Sequence, residues 1–179
     1  MSLTFSRRSF LKYTAVAAVA VAGSSLLTGC KDNPYQPEGK FGETLKIMGT
    51  FQLSSGTYDA TAQKMTCKMS FKCTSERNLS VLATNFQIDV TSKDGKTTTT
   101  YRADQAQNNG VSLKSSKGDL AKNDTLETEL YVTGLTLTDG CTVEVKYWPR
   151  ATASQGNLGY TDAYATWKAT YTASTNKLA

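Results

Sequence analysis

The 179-residue chain contains no histidine, which removes imidazole-based triads and dyads and most zinc sites. Its formal charge of +5 owes three positives to Arg7, Arg8 and Lys12; without them 17 basic residues of the 20 face 15 acidic ones. The basic balance is therefore no argument for a nucleic-acid partner, and the length beyond residue 42 suits a single domain with its own core.

The first segment, "SRRSFLK", spans Ser6 to Lys12 and runs into the uncharged, alanine-rich Tyr13–Gly29. A basic start followed by a short apolar run and small residues has the parts of an export signal. The run is too short and too rich in Ala, Gly and Ser for a spanning helix. With Arg7, Arg8, Phe10, Leu11 and Lys12 in place, the segment resembles the twin-arginine translocation signal. The signal ends in "LLTGC", which is similar to a lipoprotein signal-peptidase site. That resemblance implies acylation of Cys30, cleavage before it, and a membrane as the partner of the acyl chains. Residues 1–29 then form the signal and 30–42 a lipidated tether, whose two prolines suit an extended spacer.

From Thr44 the dominant pattern is alternation. "LKIMGTFQL" places Leu45, Ile47, Phe51 and Leu53 on one face. "MTCKMSFKC" does the same with Met65, Cys67, Met69, Phe71 and Cys73 against polar Thr66, Lys68, Ser70 and Lys72, a half-buried strand. "LATNFQIDV" offers Leu82, Phe86, Ile88 and Val90, and Asp94-Gly95 then signals a hairpin into the threonine-rich strand ending near Tyr101. After the short alternating "VSLKS" come strands around "TLETELYV", "CTVEVKYW" and "AYATWKATY". The last two turn Cys141, Val143, Val145 and Tyr147, then Ala163, Ala165, Trp167, Ala169 and Tyr171, inward. No stretch shows a helical period. The expected architecture is all-β, two packed antiparallel sheets over residues 43–175 with a tail at 176–179; a barrel is the alternative.

The order of these strands, the "DGK" hairpin, a "KGDL" turn at Lys117–Leu120 and the "VEVKY" strand is similar to the telokin-like, immunoglobulin-related domains of bacterial lipoproteins. The likeness spans Thr44 to Trp148 and implies an immunoglobulin-like β-sandwich; it implies no activity. Among the cysteines left after Cys30, Cys67 and Cys73 lie about 20 Å apart on one strand and cannot pair. Cys141 has one partner or none. Immunoglobulin strand order, if followed, favours Cys67–Cys141, with Cys73–Cys141 or three buried thiols as the other outcomes.

Met65, Cys67 and Met69 share a face and are soft donors of the kind that bind Cu(I), yet a core strand carries the same residues, and the reading is of no metal and no cofactor. Trp148, Tyr160 and Tyr164 are candidates for a sugar-stacking ligand face. Glu127 and Glu129, two apart on an outward face, are the one carboxylate pair with the makings of glycoside hydrolysis. Asp119, Asp124 and Asp139 sit beside turn residues and serve the turns. The expectation is a lipid-anchored, extracytoplasmic binding or interaction module of the cell envelope, not an enzyme. Its partner is an envelope protein or a polysaccharide; the runner-up is a carbohydrate-binding module, and a carboxylate hydrolase stands third.

Overall fold

A computed structural model describes residues 36–103, 110–151 and 164–179, with only the backbone for 150–151. The described residues fall within one compact unit. The strands in chain order are β1 (Glu38–Lys40), β2 (Thr44–Lys46), β3 (Gly49–Asp59), β4 (Lys64–Cys73), β5 (Leu79–Val81), β6 (Phe86–Thr91) and β7 (Thr98–Arg102). They continue with β8 (Gly110–Leu113), β9 (Lys117–Leu120), β10 (Thr125–Thr133), β11 (Thr142–Tyr147), β12 (Arg150–Ala151), β13 (Ala165–Thr172) and β14 (Lys177–Leu178).

Hydrogen bonding runs β7-β6-β11-β13-β14-β3-β4-β10-β8, with β1 added to β13 and β2 to β3. The ribbon folds at β14, which pairs with the last two residues of β13 and with Gly56 and Thr57 of β3. The antiparallel sheet β7-β6-β11-β13 thus faces the antiparallel sheet β3-β4-β10-β8, a sandwich joined along one side. Among the described strands β1 alone pairs in parallel, Glu38 with Thr166 through Lys40 with Lys168. The small sheet β12-β5-β9 lies against one end, where the Tyr147 hydroxyl donates to the Ser80 carbonyl at 3.2 Å.

Alternation explains the core. β4 buries Met65, Cys67, Met69, Phe71 and Cys73, and β11 buries Val143, Val145 and Tyr147. Phe51, Phe71, Phe86 and Tyr147 pack with ring centroids 5.0–6.2 Å apart at one end of the sandwich, and Tyr58 meets Tyr171 edge-on at 5.3 Å. Burying each such ring stabilises by about 1.5–3 kcal/mol over leaving it exposed. Trp167 is also fully buried, its indole N–H satisfied by the Glu43 carbonyl at 3.0 Å. The Asp94-Gly95 hairpin forms as its sequence demands, with Gly95 at φ 73° and Asp94 Oδ1 accepting from Ser92 and the Lys96 N–H.

Four boundaries differ from expectation. Residues 176–179 are not a tail: Leu178 is wholly buried within β14. The tether ends earlier than residue 42, because Glu38–Lys40 already add to β13. Lys117–Leu120 is not a turn but β9, paired with β5. Leu82 does not join the inward face of β6, because Ala83–Asn85 form a 3-10 turn that breaks the phase and leaves Leu82 exposed.

Candidate functional site

The last inward pair of β11 and β13 is Tyr147 opposite Ala165, so Trp148 and Tyr164 fall next, on the outward side. Their rings meet with centroids 5.1 Å apart, tilted by 39°, and both are half-buried. A buried amide holds this corner. Asn85 accepts the Trp148 N–H on its carbonyl at 2.9 Å and donates its Nδ2 to the Trp148 carbonyl at 3.1 Å. Its Oδ1 takes the Leu82 N–H at 2.9 Å. Leu82 is the one exposed large hydrophobic side chain among the described residues. Tyr160, the third residue of the expected ligand face, lies outside the described residues, as do Cys30, Arg7, Arg8, Phe10, Leu11 and Lys12. Two half-buried rings leaning on each other are not the exposed, coplanar pair that stacks a sugar.

The outer face of β6-β11-β13 carries an ion ladder that the sequence reading missed. Lys146 Nζ reaches Asp89 Oδ2 at 2.8 Å and Glu144 at 3.5 Å; Lys168 reaches Glu144 at 3.3 Å and Glu38 at 3.0 Å. Asp89 also accepts from Thr100 at 2.7 Å and from Gln87 at 2.9 Å. Burial alone would raise the Asp89 pKa, but the Lys146, Thr100 and Gln87 donors outweigh it and hold the carboxyl below its ordinary value. Burial opposes the Lys146 charge too, and Asp89 and Glu144 still hold its pKa above the usual lysine value. The sequence signal is faint: acidic and basic residues at outward positions of strands whose neighbours are set by register.

The carboxylates Glu127 and Glu129 are engaged separately. Glu127 accepts from Ser70 at 2.6 Å, while Glu129 accepts from the Tyr131 hydroxyl and from Lys114 at 3.5 Å. Lys64 covers the Tyr131 ring at 4.1 Å. Asp119 accepts from Asn78, Asp124 binds Lys117 at 2.8 Å and the Ala121 N–H at 3.4 Å, and Asp139 accepts from the Ala173 N–H. All three tie one stretch of chain to another.

Cys67, Cys73 and Cys141 are buried free thiols, so the expected Cys67–Cys141 bridge is not formed in this structure. The physical reason lies in where each sulfur packs. Cys67 Sγ lies over Gly56 of the neighbouring strand, 2.6 Å from where a Cβ at that glycine would stand. Cys141 begins the run into β11 and is bonded by backbone to Tyr171 and Thr138. Cys73 points its sulfur at the Ser75 and Arg77 carbonyls at 3.8 and 3.7 Å. Burial pushes the Cys67 thiol up to about 12 and raises Cys73 and Cys141 as well. Met65 and Met69 are core residues on the same face, and among the described residues no three His, Cys, Asp or Glu side chains cluster as metal ligands.

Residues 4–24 match the model of the TAT (twin-arginine translocation) pathway signal sequence, which covers all five export residues named above. The protein is therefore a signal-bearing, β-rich chain directed across the cytoplasmic membrane. Among the described residues no helix is long and apolar enough to cross a membrane. No curated protein matches the chain. Among the solved structures similar to it are two of low identity. One is the "putative ApaA protein" of Bordetella pertussis, 12% identical, with a TM-score of 0.35 over 68% of this chain and 86% of that one. The other is a "putative lipoprotein (ycdA)" of Bacillus subtilis, 15% identical, TM-score 0.40, over 72% of this chain and 38% of that one. Likenesses this distant carry no argument about function.

Proposed function

We propose that the mature protein is a lipoprotein, acylated at Cys30 and held on the far side of the cytoplasmic membrane, whose sandwich is a binding module rather than an enzyme. The lipid assignment rests on position: Cys30 follows Leu27-Thr28-Gly29 directly, six residues after the matched signal ends at 24. Replacing Cys30 with Ser removes the acylation site, and a mass spectrum of the mature N-terminus without diacylglycerol would overturn the assignment. The strand order, β7-β6-β11-β13 against β3-β4-β10-β8, supports the telokin-like, immunoglobulin-type reading.

One observation carries the binding role. Strand β7 pairs only with β6 among the described residues, and Thr98–Thr100 are exposed along it with neither charge nor proline. Natural edge strands are commonly blunted by such residues, and an edge without them invites an added strand. The partner is an envelope protein contributing an extended segment there. A proline scan across Thr98–Arg102 tests this, because positions whose N–H points outward tolerate proline without loss of the ladder. Capture from intact envelopes should retain one envelope protein with the parent chain and lose it with the tolerated proline variants. An enriched polysaccharide, or retention unchanged by every tolerated proline, overturns the reading.

A further inference from the structure

The end of the sandwich at which the chain enters carries the aromatic corner. Glu38 pairs with Thr166 in parallel register, and the Thr166 N–H donates to the Pro37 carbonyl at 3.0 Å. Extending that register two residues back puts Gln36 level with Tyr164, beside Trp148. The strand directions agree: β11 ends here at Tyr147, and β6 and β13 begin here at Phe86 and Ala165. Leu82 belongs to the same end, because the Asn85 amide ties its turn to Trp148 on both sides of the peptide.

Cys30 stands six residues before Gln36. Fully extended, six residues span at most about 20 Å. An acyl chain on Cys30 therefore confines this end, whatever path those residues take, to within about 20 Å of the lipid surface. Tyrosine and tryptophan favour the layer where headgroups meet acyl chains, since one side of each ring is apolar and the other carries a hydrogen-bonding group. Lys46 and Lys72, neighbours of Thr50 from either side, sit exposed at the same end, where Gly49 opposite Cys73 closes β3 on β4. Neither lysine has a carboxylate within 4.0 Å among the described residues, which leaves both free to meet lipid phosphate.

We infer that Trp148, Tyr164 and Leu82 form a membrane-docking corner that rests in the headgroup layer of the bilayer to which Cys30 is anchored. The inference deepens the lipoprotein reading and rests on it. Docking at this end fixes which way the domain points: the entry end faces lipid, while the hairpin at Asp94-Gly95 and the turn at Asp139-Gly140 point away.

The two tryptophans make a direct test, because Trp167 is fully buried and supplies a constant background. The full acylated protein is reconstituted in vesicles of phosphatidylethanolamine and phosphatidylglycerol, with and without lipids brominated high on the acyl chain. Brominated lipid should quench the emission, and the quenching should vanish in W148F and fall in L82S, while both variants keep the parent's circular dichroism and melting midpoint. A variant that loses its fold is replaced by Tyr164→Ser, read against the unmodified Trp148. Quenching equal in the parent and W148F overturns the docking and leaves lipidation standing. Mature protein without acyl mass on Cys30 overturns both.

Discussion

Asp89 and Lys146 meet across β6 and β11 at 2.8 Å, with the Asp89 side chain 9% exposed and that of Lys146 23%. Removing one partner of such a pair leaves the other's charge poorly solvated. Lys146→Met should cost about 1–3 kcal/mol, less than a fully buried pair because Thr100 and Gln87 still donate to the carboxylate. The pH dependence has a definite sign. The Asp89 pKa is depressed in the folded protein, so its contribution is full above the unfolded carboxyl value of about 4 and is lost as pH falls through the folded one. Urea midpoints of the parent and D89N, measured between pH 7 and pH 3, should converge on acidification. Parallel curves would show that Asp89 contributes nothing through its charge.

Gly56 and Cys67 define a second constraint. A Cβ at Gly56 would stand 2.6 Å from Cys67 Sγ and 3.0 Å from Leu178 Cδ1, inside a closed core. Gly56→Ala should therefore destabilise by about 1–3 kcal/mol through overpacking. Cys67→Ala removes the nearer obstacle, so the double variant should be more stable than the sum of the single changes allows. A double-mutant cycle on denaturation midpoints reads this coupling. Strict additivity would mean that the strain falls on Leu178 instead.

Period two made much of this fold legible. Met65, Cys67, Met69, Phe71 and Cys73 are buried as their alternation requires, and so are Val143, Val145 and Tyr147. The pattern failed where a strand is too short to show a period or is held by distant partners. Leu178 is buried because Tyr171 and Gly56 flank it, the second of them far away in sequence. Glu38–Lys40 became a strand through Thr166–Lys168. Leu82 was misplaced because the buried side chain of Asn85, paired with Trp148, resets the phase before Phe86. The Asp89–Lys146 pair needed the register of two strands that lie 57 residues apart at these positions. Trp148 and Tyr164 stand out in the sequence as candidates for a ligand face, but their contact follows from the Tyr147–Ala165 pairing beneath them.

The thiols predict a labelling result. With Cys67, Cys73 and Cys141 all buried and free, the natively folded, reduced protein should react with none of them at pH 8 under an aromatic disulfide reagent. Unfolding in guanidinium should release three reactive thiols from the mature chain when Cys30 is acylated. A count of one after unfolding without reductant would show a disulfide between Cys141 and one of the other two.

The C-terminal strand gives the plainest test of what was expected to be a tail. Leu178 is wholly buried, Ala179 and Thr170 exchange backbone hydrogen bonds at 2.9 and 3.3 Å, and Asn176 accepts from the Tyr58 N–H and the Tyr171 hydroxyl. These contacts close the corner at which the two sheets join. Leu178→Ala should cost about 2–5 kcal/mol by loss of buried methylenes and the cavity left behind. Deleting residues 176–179 should cost more, since β3 and β13 then lose the strand between them. Lys177→Ala, at an exposed position of the same strand, should stay within about 0.5 kcal/mol of the parent. Urea midpoints rank the three variants, and a deletion as stable as the parent would show that the sandwich closes without β14.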